Sequence, residues 1–471
     1  MRYISTRGAA PSLGFDEVLL TGLANDGGLY LPQSWPQFDA EALKDLRNLP
    51  YAELAIRIMS PFIKGSSFDK EFPDLVRAAY AGFNHPAVTP LVQLDSNLWL
   101  LELFHGPTFA FKDVALQLLG RLLDRALHER KQRATVIGAT SGDTGSAAIE
   151  ACRDRDSLDV FILYPHGRVS DVQRRQMTTV TSANIHALAI DGTFDDCQDL
   201  VKALFNDEEF RRIAHPTAVN SINWARIMAQ IVYYFAAALA LGAPEKTVSF
   251  SVPTGNFGNV FAAYAARRMG LPIDRLIIGS NSNDVLPRFF EHGALSATTV
   301  VPTLSPSMDI QVSSNFERFL FDLWEQNGTA LADAMTEFKR SQRLSVTTNA
   351  AALARDQFTA FSFDDTQTVA QIKRSHQDTG ILLDPHSAIA VAAAIKAKTK
   401  TPCIALATAH PAKFPGAIKQ AIGSTPTLPP SLAEITTMPE RFTRLAGRLE
   451  TVRAHILKHL ARPADKKQMA I

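Results

Sequence analysis

Lys112 is the residue in this sequence best suited to act as a nucleophile. It stands in Phe104-His105-Gly106-Pro107-Thr108-Phe109-Ala110-Phe111-Lys112-Asp113, one amine among three phenylalanines, directly before a helix expected from Val114 to Arg125. Aromatic surroundings take water away from an ammonium and favour the neutral amine, the form that attacks a carbonyl. A Schiff-base lysine has this setting. So does a lysine paired with a neighbouring Asp113, or one that lays its stem along an apolar face.

Three further segments carry groups that bind anions. Thr254-Gly255-Asn256-Phe257-Gly258-Asn259 has two glycines three apart between a strand pattern and a helix pattern, so backbone amides can approach an oxyanion without obstruction by Cβ. It lacks the Lys-Ser/Thr ending of a nucleotide-triphosphate loop, and a tight turn without a ligand has the same spacing. Thr140-Ser141-Gly142-Asp143-Thr144-Gly145 offers three hydroxyls and a carboxyl at a helix start, suited to a carboxylate ligand or to ordinary helix capping. Its glycines are spaced GxxxGxxG with Gly138, which is not a dinucleotide fingerprint. Asn220-Ser221-Ile222-Asn223-Trp224-Ala225-Arg226 groups hydrogen-bonding side chains with one guanidinium ahead of an apolar helix. With Ser221 or a neighbour as the cap, Arg226 lies about one turn further in, where it can share an anion with Asn220 and Ser221 or serve as a surface arginine.

These segments need elements to hold them. Ala134–Ile137, a Gly-containing turn, a helix to Arg153 and Val160–Tyr164 form one strand–helix–strand pattern. Val248–Val252, the Pro253–Asn259 turn, a helix from Val260 to Met269 and Arg275–Ile278 form a second, and Cys403–Ala407 leads into Thr408-Ala409-His410-Pro411. The expected fold class is α/β, with two open, twisted, mainly parallel sheets flanked by helices, in which ligands bind beyond the carboxyl ends of strands. The expected domains are an N-terminal helical subdomain (1–90), a smaller α/β domain with Lys112 and the Ser141–Gly145 loop (91–240), and a larger one with the Gly255–Asn259 turn (241–471). A helical extension is expected over Ser431 to Leu460.

Composition excludes several classes of function. Of 471 residues, 48 are Lys or Arg and 47 Asp or Glu, so no overall field draws the chain to nucleic acid or to an anionic membrane. The three cysteines, Cys152, Cys197 and Cys403, show no CxxC spacing, which speaks against a disulfide framework or zinc site and for a reducing cytoplasm. The histidines show no HExxH pattern, so no metal is expected. The amino terminus has no apolar signal segment, and the longest apolar run, Ile231 to Gly242, is far short of the roughly 20 residues that cross a bilayer.

Seven segments, in order, resemble the threonine synthases, in the longer form found in many bacteria and fungi. They are Tyr3–Gly8, Gly22–Tyr30, the Lys112 segment, Ser141–Gly145, Asn220–Arg226, Gly255–Asn259 with Ser305-Pro306-Ser307-Met308-Asp309-Ile310, and Thr408-Ala409-His410-Pro411-Ala412-Lys413-Phe414. The resemblance implies a pyridoxal 5'-phosphate enzyme of the tryptophan synthase β-like fold (fold type II). Such an enzyme converts O-phospho-L-homoserine and water to L-threonine and phosphate by γ-elimination and β-hydration, the last step of threonine biosynthesis. It further implies that Lys112 holds the cofactor covalently, that Gly255, Asn256, Phe257, Gly258 and Asn259 cradle the cofactor phosphate, and that Thr408 offers a neutral hydroxyl to the pyridine nitrogen. Thr140, Ser141 and Thr144 match positions for the substrate carboxylate. Asn220, Ser221, Arg226 and Asn259 match positions for the substrate phosphate. Asp143 stands where shorter members have an asparagine beside the cofactor's phenolic oxygen; either a proton is shared there or Asp143 turns away. A small-molecule substrate, no nucleic acid, no membrane, and a cytoplasmic monomer or homodimer complete the expectation. Another fold type II enzyme, such as a serine/threonine dehydratase, would share the lysine and the glycine turn but lacks a reason for the Asn220–Arg226 cluster, and the intact Lys112 weighs against a non-catalytic phosphate-ligand binding protein.

Overall fold

Strands Val248–Pro253, Ile273–Ser280 and Cys403–Ala407 are buried along almost their whole length, as strands covered by helices on both faces must be. They form the centre of a six-stranded sheet ordered Phe358–Ser362, Ile273–Ser280, Val248–Pro253, Cys403–Ala407, Leu98–Glu102 and Leu91–Asp95. Every neighbouring pair is parallel except the last. A second sheet, ordered Thr443–Ala446, Ile185–Asp191, Leu158–Pro165, Ala134–Ala139 and Pro216–Thr217, is parallel throughout. The α/β class with two mainly parallel sheets is therefore as expected.

The computed structural model describes residues 1–460. The six-stranded sheet belongs to a unit formed by Met1–Ala115 and Ser221–Thr427, and the five-stranded sheet to a unit formed by Leu116–Asn220 and the described residues from Leu428 onward. These units interleave along the chain, unlike the contiguous spans 1–90, 91–240 and 241–471 read from the sequence. The reason is the helix Lys112–Glu129, which starts in one unit and continues into the other without a break that a sequence pattern could register. The tail also departs from expectation. Instead of being helical throughout, it places Thr443–Ala446 beside Ile185–Asp191 as an edge strand before the helix Leu449–His459.

In the first unit, the helix Pro385–Ala397 lies on the sheet and centres a core with Ile277, Leu100, Ile372 and Ile418. The N-terminal region contributes four helices and a short antiparallel pair, Tyr3–Ser5 with Tyr30–Pro32, and packs Tyr3 and Phe62 against Trp224. In the second unit, Phe161, Leu188, Leu204 and Phe210 form a core closed by Val452 and Ile456 of the last helix. No helix among the described residues is long and apolar enough to cross a membrane.

Candidate active site

Three neighbouring parallel strands of the first unit end at the same edge, and each end carries one of the segments singled out above. Leu98–Glu102 leads to the Lys112 loop, Cys403–Ala407 to Thr408, and Val248–Pro253 to the glycine turn. Strands lie about 4.8 Å apart. The outer two of the three are thus about 10 Å apart in the sheet, with Thr408 following the strand between them.

Backbone hydrogen bonds zip the first two ends together. Leu103 donates to the Ala407 carbonyl at 2.9 Å, Phe111 to the Thr408 carbonyl at 2.8 Å, and His410 to the Phe109 carbonyl at 3.0 Å. Lys112 follows directly, buried, with its ammonium nitrogen 4.9 Å from the centre of the Phe111 ring. The loop before it is shaped by Asp113, whose carboxylate accepts from the Thr108 backbone N–H at 2.8 Å and the Thr108 hydroxyl at 2.7 Å. Asp113 fits only because residue 106 is glycine, since a Cβ there would collide with the Asp113 side chain. Burial pushes the Asp113 carboxyl up to about 6, against the Thr108 donors and the positive charge of Lys413. Lys413, also buried, ties the loop from below by donating to the Thr108 carbonyl at 2.8 Å.

The glycine turn enters the helix Gly258–Arg268, whose first N–H groups have no carbonyl within their own helix. Phe257 takes a left-handed conformation at φ 65°, and the Asn256 side chain accepts from the Gly258 N–H at 3.0 Å. A wall behind the turn comes from the segment after Ser305. Ser307 O and Met308 Cα lie 3.0 Å from where a Gly255 Cβ would sit, Ser313 donates to the Gly255 carbonyl, and Asn315 N–H donates to the Asn256 carbonyl at 3.0 Å. Asn259 is buried and held by two tyrosines. Tyr233 and Tyr234 both donate to its Oδ1, the latter at 2.7 Å, which leaves Nδ2 buried without a partner. Burial holds both phenols well above their usual range, so they act as neutral donors. A helix start, two glycines and an oriented, unpartnered amide N–H2 fit a phosphate monoester. Pyridoxal phosphate carries such a group.

Arg226 lies in the helix Trp224–Ala240, which also carries Tyr233 and Tyr234. The cap of that helix is Asn223, accepting from the Ala225 N–H at 3.0 Å, rather than Ser221. Burial pulls the Arg226 guanidinium down to about 10, so it remains a cation at neutral pH. The segment leading into it is pinned by Arg318, which is fully buried and donates to the Tyr30 carbonyl at 2.8 Å and the Ile222 carbonyl at 2.6 Å. Next to it, Glu317 accepts from Thr6 at 2.6 Å and from Arg7 at 3.0 Å. The N-terminal motifs Tyr3–Gly8 and Gly22–Tyr30 thus hold Glu317 and Arg318, and through Arg318 the approach to Arg226. Ser221 is half-buried in this unit.

Thr140, Ser141, Asp143, Thr144 and Asn220 belong to the second unit. Its Ala134–Ala139 strand ends in a turn organised by Thr140, whose hydroxyl oxygen accepts from the N–H groups of Gly142 and Gly145, each at 2.9 Å. Asp143 begins the helix Asp143–Cys152 and accepts from the Gln173 amide at 2.8 Å. Gly142 sits at φ 140° with the Gln173 side chain in the space a Cβ would need. Ser141 and Thr144 are half-buried, and Asn220 is exposed. Among the described residues, no group of three or more His, Cys, Asp or Glu side chains is arranged to hold a metal ion.

Motif reading missed Tyr233, Tyr234, Gln173, Arg318 and the cap at Asp384 described below. Two adjacent tyrosines in an otherwise apolar helix were the one local signal for the first pair. Gln173 and Arg318 had none.

Family models match most of the length in three pieces: threonine synthase N terminus over residues 2–80, pyridoxal-phosphate dependent enzyme over 83–357, and threonine synthase, C-terminal over 387–456. A threonine synthase of Pseudomonas aeruginosa is 54% identical over 98% of both chains, and one of Schizosaccharomyces pombe is 44% identical over 90% of this chain and 89% of its own. Among solved structures, the pyridoxal-phosphate-bound threonine synthase of Brucella melitensis superposes with a TM-score of 0.95 at 53% identity, covering 98% of this chain and 99% of its own. The yeast threonine synthase gives 0.93 at 40% identity, covering 97% and 98%.

Proposed function

The chain belongs to the threonine synthase family of pyridoxal-phosphate-dependent lyases on the fold type II scaffold, and from its own side chains we propose how the conversion of O-phospho-L-homoserine and water to L-threonine and phosphate is carried out. The observation that carries this reading is the shared edge of three parallel strands, with Lys112 and Thr408 joined through the Phe111 hydrogen bond and the glycine turn next in line.

When bound, pyridoxal phosphate supplies an electron sink that acidifies Cα and then Cβ of the amino acid. Lys112 would hold the cofactor covalently through its side-chain amine. That amine, when free, would take the proton from Cα and return one to the same carbon. Gly255, Asn256, Phe257, Gly258 and Asn259 receive the cofactor phosphate on backbone amides and on the Asn259 amide oriented by Tyr233 and Tyr234. Thr408 would offer the pyridine nitrogen a hydroxyl, a neutral partner that supplies no charge. Asp143, which accepts from the Gln173 amide on one oxygen, would either share a proton with the phenolic oxygen or stay turned toward Gln173.

The leaving group sits on Cγ and departs as a dianion from a protein of almost no net charge. Arg226, with Asn220, Ser221 and Asn259, supplies the local cation and donors that it needs. Thr140, Ser141 and Thr144 take the substrate carboxylate on hydroxyls and first-turn amides, with Thr140 also shaping that turn.

The reading extends to a cytoplasmic monomer or homodimer acting on this small molecule, with no nucleic-acid partner. All three cysteines are free and buried, which suits a reducing compartment. The deciding experiment incubates purified protein with O-phosphohomoserine and follows phosphate and threonine together. Equal release of the two is expected, whereas phosphate without threonine, or neither product, would reject the reading.

A further inference from the structure

The helix Pro385–Ala397 opens with Asp384-Pro385-His386-Ser387, a cap for which the reaction above has no use. Asp384 is fully buried and both its oxygens are engaged twice. Oδ1 accepts from the His386 backbone N–H at 2.9 Å and from ring Nδ1 at 2.8 Å, while Oδ2 accepts from the Ser387 backbone N–H at 3.3 Å and from the Ser387 hydroxyl. An ordinary cap needs only the backbone pair.

The two side-chain arms lead to different places. His386 Nε2 accepts the N–H of Ser307 at 3.3 Å. A backbone amide can only donate, so Nε2 carries the lone pair and Nδ1 the proton that Asp384 accepts. Ser307 is the residue whose carbonyl forms the wall behind Gly255. On the other arm, Ser387 Oγ accepts the N–H of Thr408 at 3.1 Å, and the Thr408 carbonyl in turn holds the Phe111 N–H beside Lys112.

We infer that Asp384 is a positioning residue that keeps the glycine turn and the Thr408–Lys112 end in register, one through each carboxylate oxygen; this rests on the reading of both as the pyridoxal-phosphate site. A carboxylate is required because every neighbour on both oxygens is a donor. An asparagine would turn an N–H2 toward one set of N–H and O–H groups and lose that arm.

Three variants of the full-length protein test this: His386→Phe, which keeps a ring against Phe414, Ser387→Ala, and Asp384→Asn. In hydrogen–deuterium exchange, His386→Phe is expected to speed exchange in peptides covering Ser307, Ser387→Ala in peptides covering Thr408, and Asp384→Asn in both. On titration with pyridoxal phosphate, His386→Phe is expected to raise the cofactor Kd about tenfold with the lysine-bound absorbance unmoved, the scale of one buried hydrogen bond left unmade. Ser387→Ala is expected to shift the pH dependence of that absorbance while Kd stays within about threefold of the parent. The inference is overturned if Asp384→Asn exchanges like the parent at both segments, or if the two single-arm variants alter both segments and both cofactor readouts alike, as a general loss of stability would. A parent protein that takes up no pyridoxal phosphate would reject the cofactor reading instead, and the exchange pattern would still decide the coupling.

Discussion

The two turns proposed to bind anions, Gly255–Asn259 in one unit and Thr140–Gly145 in the other, share a strand–turn–helix plan and are stabilised in different ways. The glycine turn is braced from outside. Ser307, Met308, Ser313 and Asn315 back it, and two tyrosines from another helix orient Asn259. The hydroxyl turn is largely self-organised, with Thr140 collecting two amides of its own loop and Gln173 meeting Asp143. A turn for a resident dianion benefits from donors that cannot relax, because preorganised amides lose little on binding. Of the hydroxyls proposed for the substrate carboxylate, that of Thr140 is fixed by two amides, while Ser141 and Thr144 are only half-buried.

Lys112→Ala provides the reference against which either turn is measured. It is expected to lower turnover by roughly four orders of magnitude or more and to abolish the yellow colour, while cofactor still binds non-covalently through the glycine turn. Absorbance and equilibrium dialysis check this, and failure to retain any cofactor would mean that the turn has little affinity of its own. Gly255→Ala and Gly142→Ala then separate the two turns. The former is expected to raise the cofactor Kd about 10- to 100-fold by pressing on Ser307 and Met308. The latter should raise KM for O-phosphohomoserine to a similar degree with cofactor Kd nearly unchanged, and the same loss of cofactor affinity in both would erase the distinction.

Arg226→Ala tests whether the cation near the glycine turn serves the substrate. An increase in KM of about 10- to 100-fold, the scale of a lost charge-assisted hydrogen bond, is expected with much less change in cofactor Kd. Steady-state kinetics that match the parent would remove Arg226 from substrate binding. The smallest effect belongs to Tyr234→Phe, which removes one of the two donors on Asn259 Oδ1. Fluorescence titration should show cofactor Kd rising by about fivefold, since Tyr233 still holds the amide.

Much of the fold was legible because it is written locally. Cys403–Ala407 forms a strand with the bounds read from its β-rich run, and Val248–Pro253 and Leu158–Pro165 extend theirs by one to three residues. The tail was misread because Thr443–Ala446 is a short edge strand among charged residues, whose pairing with Ile185–Asp191 has no local signature. Lys112 and the glycine turn stood out by residue type. Tyr233, Tyr234 and Arg318 did not, since a tyrosine or arginine in an apolar stretch acquires its role only from a partner far away in sequence, such as Asn259 or Ile222.

Amino-acid order alone determined which residues could do chemistry here and that each follows a strand or opens a helix, because residue type, turn glycines and periodicity act over a few neighbours. Tertiary structure decided that the strands before residues 112, 408 and 255 lie side by side, that the amide nitrogen of Asn259 is left to donate, and that the buried carboxylate at 384 holds the side chains of His386 and Ser387. Those outcomes depend on strand order and on burial, and both arise only when segments hundreds of residues apart exclude water together.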